Sequence, residues 1–165
     1  MKKLLTLLLT AVIGCLPMWA GAEFTDVITP AMVTKGSNIN ISSSELKATY
    51  FADEIAVKYD KKFRILSGKY IQNTTAPGNI KKITITPASP DFGAYKPVYD
   101  VYVSESEITS TSGMTSVAKL ECATTTDPVS YEVSGDYKYF RLVSKNSWAY
   151  LGTVPNFRGY AIVDE

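Results

Sequence analysis

Short runs in which apolar and polar residues alternate make up most of the chain. Residues 80–86 read IKKITIT and residues 98–104 read VYDVYVS, so every second side chain falls on the same side of an extended backbone. This period of two predicts half-buried β-strands, and roughly eight to ten such runs are separated by turn-forming residues. We find no convincing amphipathic helix. The pattern predicts an all-β fold, an antiparallel β-sandwich.

The stretch from Tyr137 to Leu151 (YKYFRLVSKNSWAYL) shows the pattern most clearly, because two strand-like runs flank a polar break. Phe140, Leu142 and Leu151 are predicted to face the core, and Arg141 to project outward between the first two. The other predicted inward residues come from the two runs above and are Ile83, Ile85, Tyr99, Val101 and Val103.

Turn-forming composition predicts longer connections at residues 34–44, 87–97, 105–115 and 152–158. The first and third are rich in serine, and the other two contain proline, which cannot donate a hydrogen bond to a sheet ladder. A tighter turn is predicted at Ser67-Gly68. Three further elements are expected: a strand or short helical turn at 24–33, a strand at 116–123 and a closing strand at 159–164.

Four runs are similar to one group of proteins: DVITP at 26–30, NIKKITITPAS at 79–89, PVYDVYVSES at 97–106 and GDYKYFRLVSKNSWAYL at 135–151. Through them, most of residues 26–163 resembles small secreted bacterial domains of the galactose-binding, or discoidin-like, type. The resemblance implies a jelly-roll β-sandwich. Such domains often accompany polysaccharide-handling proteins, and many have no assigned activity. The matching residues lie at core positions, so the resemblance implies a fold and transfers no ligand residue.

The first 22 residues have the pattern of a secretory signal peptide. Two lysines precede the apolar run Leu4–Ile13, which is too short to span a bilayer, and Ala20-Gly21-Ala22 offers a small-residue cleavage site. We expect residues 1–22 to be removed and residues 23–165 to form a single β-sandwich domain without a transmembrane segment. The protein is then secreted, periplasmic or on the cell surface. In an alternative, Val12 to Cys15 acts as a lipobox and Cys15 carries a lipid anchor.

Charge and composition exclude several classes of function. Two of the 17 basic residues lie in the leader and none of the 16 acidic residues do, which leaves a net charge of −1 and gives no electrostatic footprint for nucleic acid. The chain has no histidine, so it lacks a Ser-His-Asp triad and histidine metal ligands. Cys122, alone after the leader, is predicted to be a buried thiol. Two carboxylate pairs, Asp53-Glu54 and Glu105/Glu107, are close neighbours in the chain. Such neighbours usually lie on a solvated rim and do not face each other across a cleft, as a catalytic pair must.

We therefore expect no enzyme and no cofactor, although oxygen ligands on loops leave a structural calcium ion possible. Aromatic side chains beside polar ones give the best functional lead, since sugar rings stack on aromatic faces while polar groups bond their hydroxyls. The candidate ligand-binding residues are Trp148, Tyr150, Asn146, Lys145 and Arg141.

Two readings of these residues stay open. In the first, the chain is a non-catalytic module that binds a glycan or a surface protein through loops at one end of the sandwich. In the second, it is a structural or assembly protein that pairs its edge strands with a partner. In the alternative for Trp148, which is the more common role of a large aromatic near a loop, it caps the end of the sandwich and buries its ring with Tyr95 or Phe157. The sequence does not determine the oligomeric state.

Overall fold

The computed structural model describes residues 23–42, 48–58, 62–76, 78–87, 96–124, 127–146 and 151–161. Within these ranges the chain forms strands joined by turns and loops, with one 3₁₀ turn at Pro30–Met32. The strands are β1 (Glu23–Val27), β2 (Gly36–Ile41), β3 (Tyr50–Lys58), β4 (Lys62–Ile65), β5 (Tyr70–Asn73), β6 (Gly78–Pro87), β7 (Val98–Ser104), β8 (Ala118–Glu121), β9 (Val129–Glu132), β10 (Tyr139–Ser144) and β11 (Leu151–Ala161). All pairings among them are antiparallel, which confirms the all-β prediction. No helix in these ranges is long and apolar enough to cross a membrane.

The strands are hydrogen-bonded in the order β8-β7-β10-β5-β3-β4-β11-β6-β9, with β1 beside β11 and β2 beside β3. Both β4 and β5 run antiparallel to β3, so together they form one long strand with a break in the middle. The break is the predicted Ser67-Gly68 turn, where Gly68 has a φ of 77° that favours glycine. Gly68 N–H donates to the Ser144 carbonyl at 2.8 Å, so this turn lies beside the end of β10.

The core lies on the side of the strands that the alternating pattern predicts. Every predicted inward residue is buried, with Ile83, Ile85, Val101, Phe140, Leu142 and Leu151 fully so. Residues from both halves of the sheet order join one cluster, in which Tyr50 and Phe140 have ring centroids 6.3 Å apart. Each Å² of apolar surface that is removed from water stabilises the fold by about 25 cal/mol. The fold is sandwich-like around this core.

The prediction of a loop at residues 34–44 was wrong, because β2 occupies Gly36–Ile41. Its serine and asparagine side chains are exposed, while Ile41 is buried and the backbone pairs along β3 from Gly36–Ile55 to Ile41–Tyr50. Asn38 has a φ of 56°, a left-handed conformation that asparagine tolerates better than most residues. The polar composition reflects a strand with one solvated side and a local bend.

The prediction of a loop at residues 152–158 was also wrong, because β11 runs without interruption from Leu151 to Ala161. This strand pairs with β1 and with β6. The β6 register shifts between Thr153 and Asn156, on either side of Pro155. Proline has no N–H to donate, and a bulge lets a strand accommodate it without ending.

The first strand is attached to the core by a buried carboxylate. Asp26 is 1% exposed, and its Oδ2 accepts hydrogen bonds from the Ala48 N–H and the Tyr50 hydroxyl, each at 3.0 Å. Burial raises the pKa of Tyr50 far above its ordinary value, and the Asp26 charge raises it further.

The sequence predicted a strand or a short helical turn at residues 24–33. The structure has both there, β1 and the 3₁₀ turn.

Candidate functional site

A row of side chains crosses four neighbouring strands on the side opposite the core. Arg141 of β10 has two register partners, Tyr102 of β7 on one side and Gln72 of β5 on the other. Gln72 in turn is the partner of Phe51 of β3. Cross-strand partners have Cβ atoms about 5 Å apart, so these side chains are neighbours. Tyr139 and Tyr70 lie beside the row on β10 and β5. We call this surface the Arg141 face, composed of Phe51, Tyr70, Gln72, Tyr102, Tyr139 and Arg141.

Arg141 lies at the centre of this face and is held by three groups. Its Nε donates to the Gln72 Oε1 at 2.6 Å, and its Nη2 donates to the carbonyl oxygen of Ile108. The guanidinium carbon lies 3.9 Å from the centroid of the Tyr70 ring, a distance at which cation–π attraction acts. Arg141 is only 5% exposed as a result. The guanidinium plane is therefore fixed in orientation.

The charge of Arg141 is balanced by its surroundings. Burial lowers the pKa of the guanidinium, while Tyr70, Asp53 and Glu107 act in the opposite direction. An arginine side chain stays protonated in proteins, so the face keeps a permanent cation. Lys69 Nζ lies 3.2 Å from the Asp53 Oδ2, which gives that carboxylate a second positive neighbour. The face thus combines a fixed cation with nearby acceptor oxygens.

Residues 105–117 cover one side of the Arg141 face, and we call this segment the strap. Ile108 of the strap is 3% exposed although it lies in a loop, and its backbone carbonyl accepts the bond from Arg141. The strap ends where Val117 N–H donates to the Val101 carbonyl at 2.8 Å. Glu105 and Glu107 are exposed on it, as the rim prediction required. The predicted serine-rich excursion is therefore an ordered cover.

Lys145 and Asn146, two of the sequence-predicted site residues, each contact a residue that was not predicted. Lys145 Nζ lies 3.2 Å from the Asp100 Oδ2, and Asp100 is the register partner of Val143, two residues from Arg141. Asn146 directs its amide Nδ2 to the Lys96 carbonyl at 3.2 Å. Trp148 and Tyr150 lie outside the described residues. Lys145 thus adjoins the Arg141 face at the end of β10.

The prediction that Arg141 projects outward was correct for its side of the strand but wrong for its exposure. It lies on the outer side of β10, as expected, but it is buried there because the strap and Tyr70 cover it. Sequence reasoning missed Tyr70, Gln72 and Phe51 as neighbours of Arg141. Nothing in the sequence pairs Arg141 with Gln72, which lies 69 residues away.

Metal and nucleophile chemistry has little support in the described ranges. No group of three or more histidine, cysteine, aspartate or glutamate side chains is placed to hold a metal ion there. A structural calcium ion stays a prediction. Cys122 is buried as predicted, and burial raises the pKa of its thiol to about 11, so the thiol is protonated at neutral pH.

Comparisons of the chain with protein-family models, with curated proteins and with solved structures found no match.

Proposed function

We propose that the mature chain is a secreted, non-catalytic binding module with a jelly-roll topology, and that it binds carbohydrate through the Arg141 face. The observation that carries this proposal is the fixed Arg141 guanidinium, set among aromatic rings on the side of the sheet opposite the core. Binding pockets for small molecules combine apolar and aromatic surface with a few polar groups of fixed orientation. The Arg141 face has both components.

The aromatic side chains supply the stacking surface for a sugar ring. Tyr102, Tyr139, Tyr70 and Phe51 are all half-buried, so part of each side chain is accessible. The rings of Phe51 and Tyr70 have centroids 5.9 Å apart and form a continuous aromatic patch. Tyrosine combines a flat apolar body with a polar tip, which suits a ligand that presents C–H faces and hydroxyl groups alternately. Neighbouring carboxylates supply acceptors for those hydroxyls.

The predicted loop residues extend the same surface. Lys145 reaches the Arg141 face through Asp100, and residues 147–150 follow directly in the chain. We propose that Lys145, Asn146, Trp148 and Tyr150 contact a second sugar unit at the end of the sandwich. The ligand then runs from the sheet face to the loop end, rather than being confined to the loops.

The alternative, assembly through edge strands, has weaker support. Among the described strands β1, β2, β8 and β9 each pair with one other strand and are edges, and β2 shows how such an edge is protected. Asn38 has a left-handed backbone there, and Ser37 and Asn40 are exposed polar residues. Bends and polar side chains are features that protect edge strands from pairing with another chain. We therefore favour ligand binding over strand addition.

Titration calorimetry against glycans selected on a glycan array tests the proposal. Tyr102→Ala is expected to weaken binding about tenfold, since aromatic contacts dominate such interfaces. Trp148→Ala reports separately on the loop end. Tyr131→Ala, at a half-buried tyrosine that packs against the core from β9, is the control for loss of a tyrosine away from the face, and the folded variant should keep its affinity.

All variants are first checked for folding by circular dichroism. Equal affinity of wild type and folded Tyr102→Ala would remove the Arg141 face as the binding surface. A loss with Trp148→Ala alone would return the ligand to the loop end.

A further inference from the structure

A groove opens on the other half of the sheet, where β2 and β4 flank β3. Its volume is about 380 Å³. The pairs Gly36–Ile55 and Ala56–Arg64 show how it is built, with β2 and β4 as the two walls and β3 as the floor. We call it the Arg64 groove, and its lining includes Lys35, Ser37, Glu54, Arg64 and Leu66.

The groove carries more positive than negative charge. Lys35 and Arg64 line it from opposite walls, and Glu54 is its one carboxylate. Glu54 already has a cation nearby, because Lys69 Nζ lies 3.9 Å from its Oε2. The charge of the groove suits an anion.

The Arg64 groove and the Arg141 face are neighbours. Lys69 Nζ contacts Asp53 at 3.2 Å and Glu54 at 3.9 Å, and these two carboxylates follow each other on β3. Asp53 also acts on the charge of Arg141. A single chain of sugars lying on the Arg141 face can therefore reach the groove across Lys69.

We propose that the glycan is an acidic one, whose uronic-acid carboxylate binds between Lys35 and Arg64. This inference rests on the proposed carbohydrate binding at the Arg141 face. Arginine presents paired N–H donors that match the two oxygens of a carboxylate, while lysine adds a point charge. Ser37 and Glu54 add polar groups for the hydroxyls of the same sugar ring.

A lipid surface fits the groove less well. Peripheral binding to membranes combines basic residues with apolar side chains that insert into the bilayer. Among the described residues, Val117 of the strap is the exposed large apolar side chain, and it lies on β8's side of the sheet, away from β2 and β4. The groove therefore offers charge without an apolar anchor.

The test uses three uronate polysaccharides, polygalacturonate, hyaluronan and heparosan, each beside its carboxyl-reduced form. Reduction turns the carboxylate into a neutral alcohol and leaves the sugar rings otherwise the same. We expect at least one uronate to bind the full mature chain about tenfold more tightly than its reduced form, as one charge-assisted contact allows. Raising the salt concentration should narrow that difference, since exposed charges are screened.

Two variants locate the preference. Arg64→Gln should abolish most of the difference in affinity between the uronate and its reduced form. Lys35→Gln, at an exposed residue, should reduce that difference in affinity about threefold. Lys82→Gln is the control, because it removes the same charge from β6. Arg64→Lys keeps the charge and should retain part of the preference.

The outcomes separate the two proposals. Binding of neutral glycans with no preference for uronates overturns the acidic-ligand inference and leaves the Arg141 face intact. Uronate binding that Arg64→Gln and Lys35→Gln do not change also overturns it. Failure of every glycan, neutral or acidic, removes both.

Discussion

Two nearly identical tripeptides have different roles in this protein. Phe140-Arg141-Leu142 lies on β10 and Phe63-Arg64-Ile65 lies on β4. In both, the flanking apolar residues are fully buried and the arginine projects to the opposite side of the strand. Arg141 is 5% exposed and held by Gln72, Ile108 and Tyr70, whereas Arg64 is half-buried and lines an open groove.

The difference arises from what covers each arginine. The strap places Ile108 over Arg141, while the walls beside Arg64 leave the groove open. An alternating strand pattern therefore determines the side on which a residue lies, and distant segments determine whether it becomes an anchor or a contact for ligands. Arg141 supports the surface around it, whereas Arg64 lines a groove that is open to a ligand.

The largest expected effect is the loss of stability when Arg141 is replaced. Arg141→Ala leaves the Gln72 oxygen and the Ile108 carbonyl without their buried donor, which should lower the free energy of unfolding by about 3 kcal/mol. Arg64→Ala should lower it by about 1 kcal/mol or less, through lost packing of its stem. Urea denaturation measures both. Equal losses in the two variants would contradict the distinction between anchor and contact residue.

The strap is the next element to test. Ile108→Ala removes a buried apolar side chain and should lower the free energy of unfolding by about 2 kcal/mol, the low end for such changes. Hydrogen exchange at the Val117 amide, which bonds to Val101, should become faster as the strap loosens. Thr109→Ala, at the exposed neighbour, is the control. Unchanged exchange at Val117 with Ile108→Ala would show that the strap does not depend on this anchor.

The smallest expected effect concerns the Tyr70 ring under Arg141. Tyr70→Leu removes the cation–π contact and should lower the free energy of unfolding by about 1 kcal/mol. Tyr70→Phe keeps the ring and should stay within about 0.5 kcal/mol of wild type. Thermal melting compares the two. If Tyr70→Phe is destabilised as much as Tyr70→Leu, the hydroxyl rather than the ring supports Arg141.

Local sequence patterns predicted the all-β class, the inward residues and the Ser67-Gly68 turn because these depend on neighbouring residues. They failed at β2 and β11. Asparagine-rich and proline-containing segments have low strand propensity, but β2 is held by β3 and β11 by three partners, β1, β4 and β6. Pairing with a distant strand overcame local preference in both places.

The candidate site was predictable only in part. Arg141 was recognised from its position in a strand and Lys145 from the polar break that follows, and the structure pairs Lys145 with Asp100, the register partner of Val143. The covering strap and the support from Tyr70 and Gln72 come from segments 33 to 71 residues away, and sequence reasoning had no means to pair them with Arg141. The Arg64 groove was missed because β2 had been assigned to a loop.

Nuclear magnetic resonance with a bound glycan tests the Arg141 face most directly. The isotopically labelled mature protein is titrated with the glycan that binds best, and backbone amides and the Arg141 Nε–H signal are followed. We predict the largest shifts at residues 100–102, 139–143 and 70–72 and at the Arg141 Nε–H, with smaller shifts at residues 145–151. Shifts confined to residues 145–151, or located on β6 and β9, would contradict carbohydrate binding at the Arg141 face.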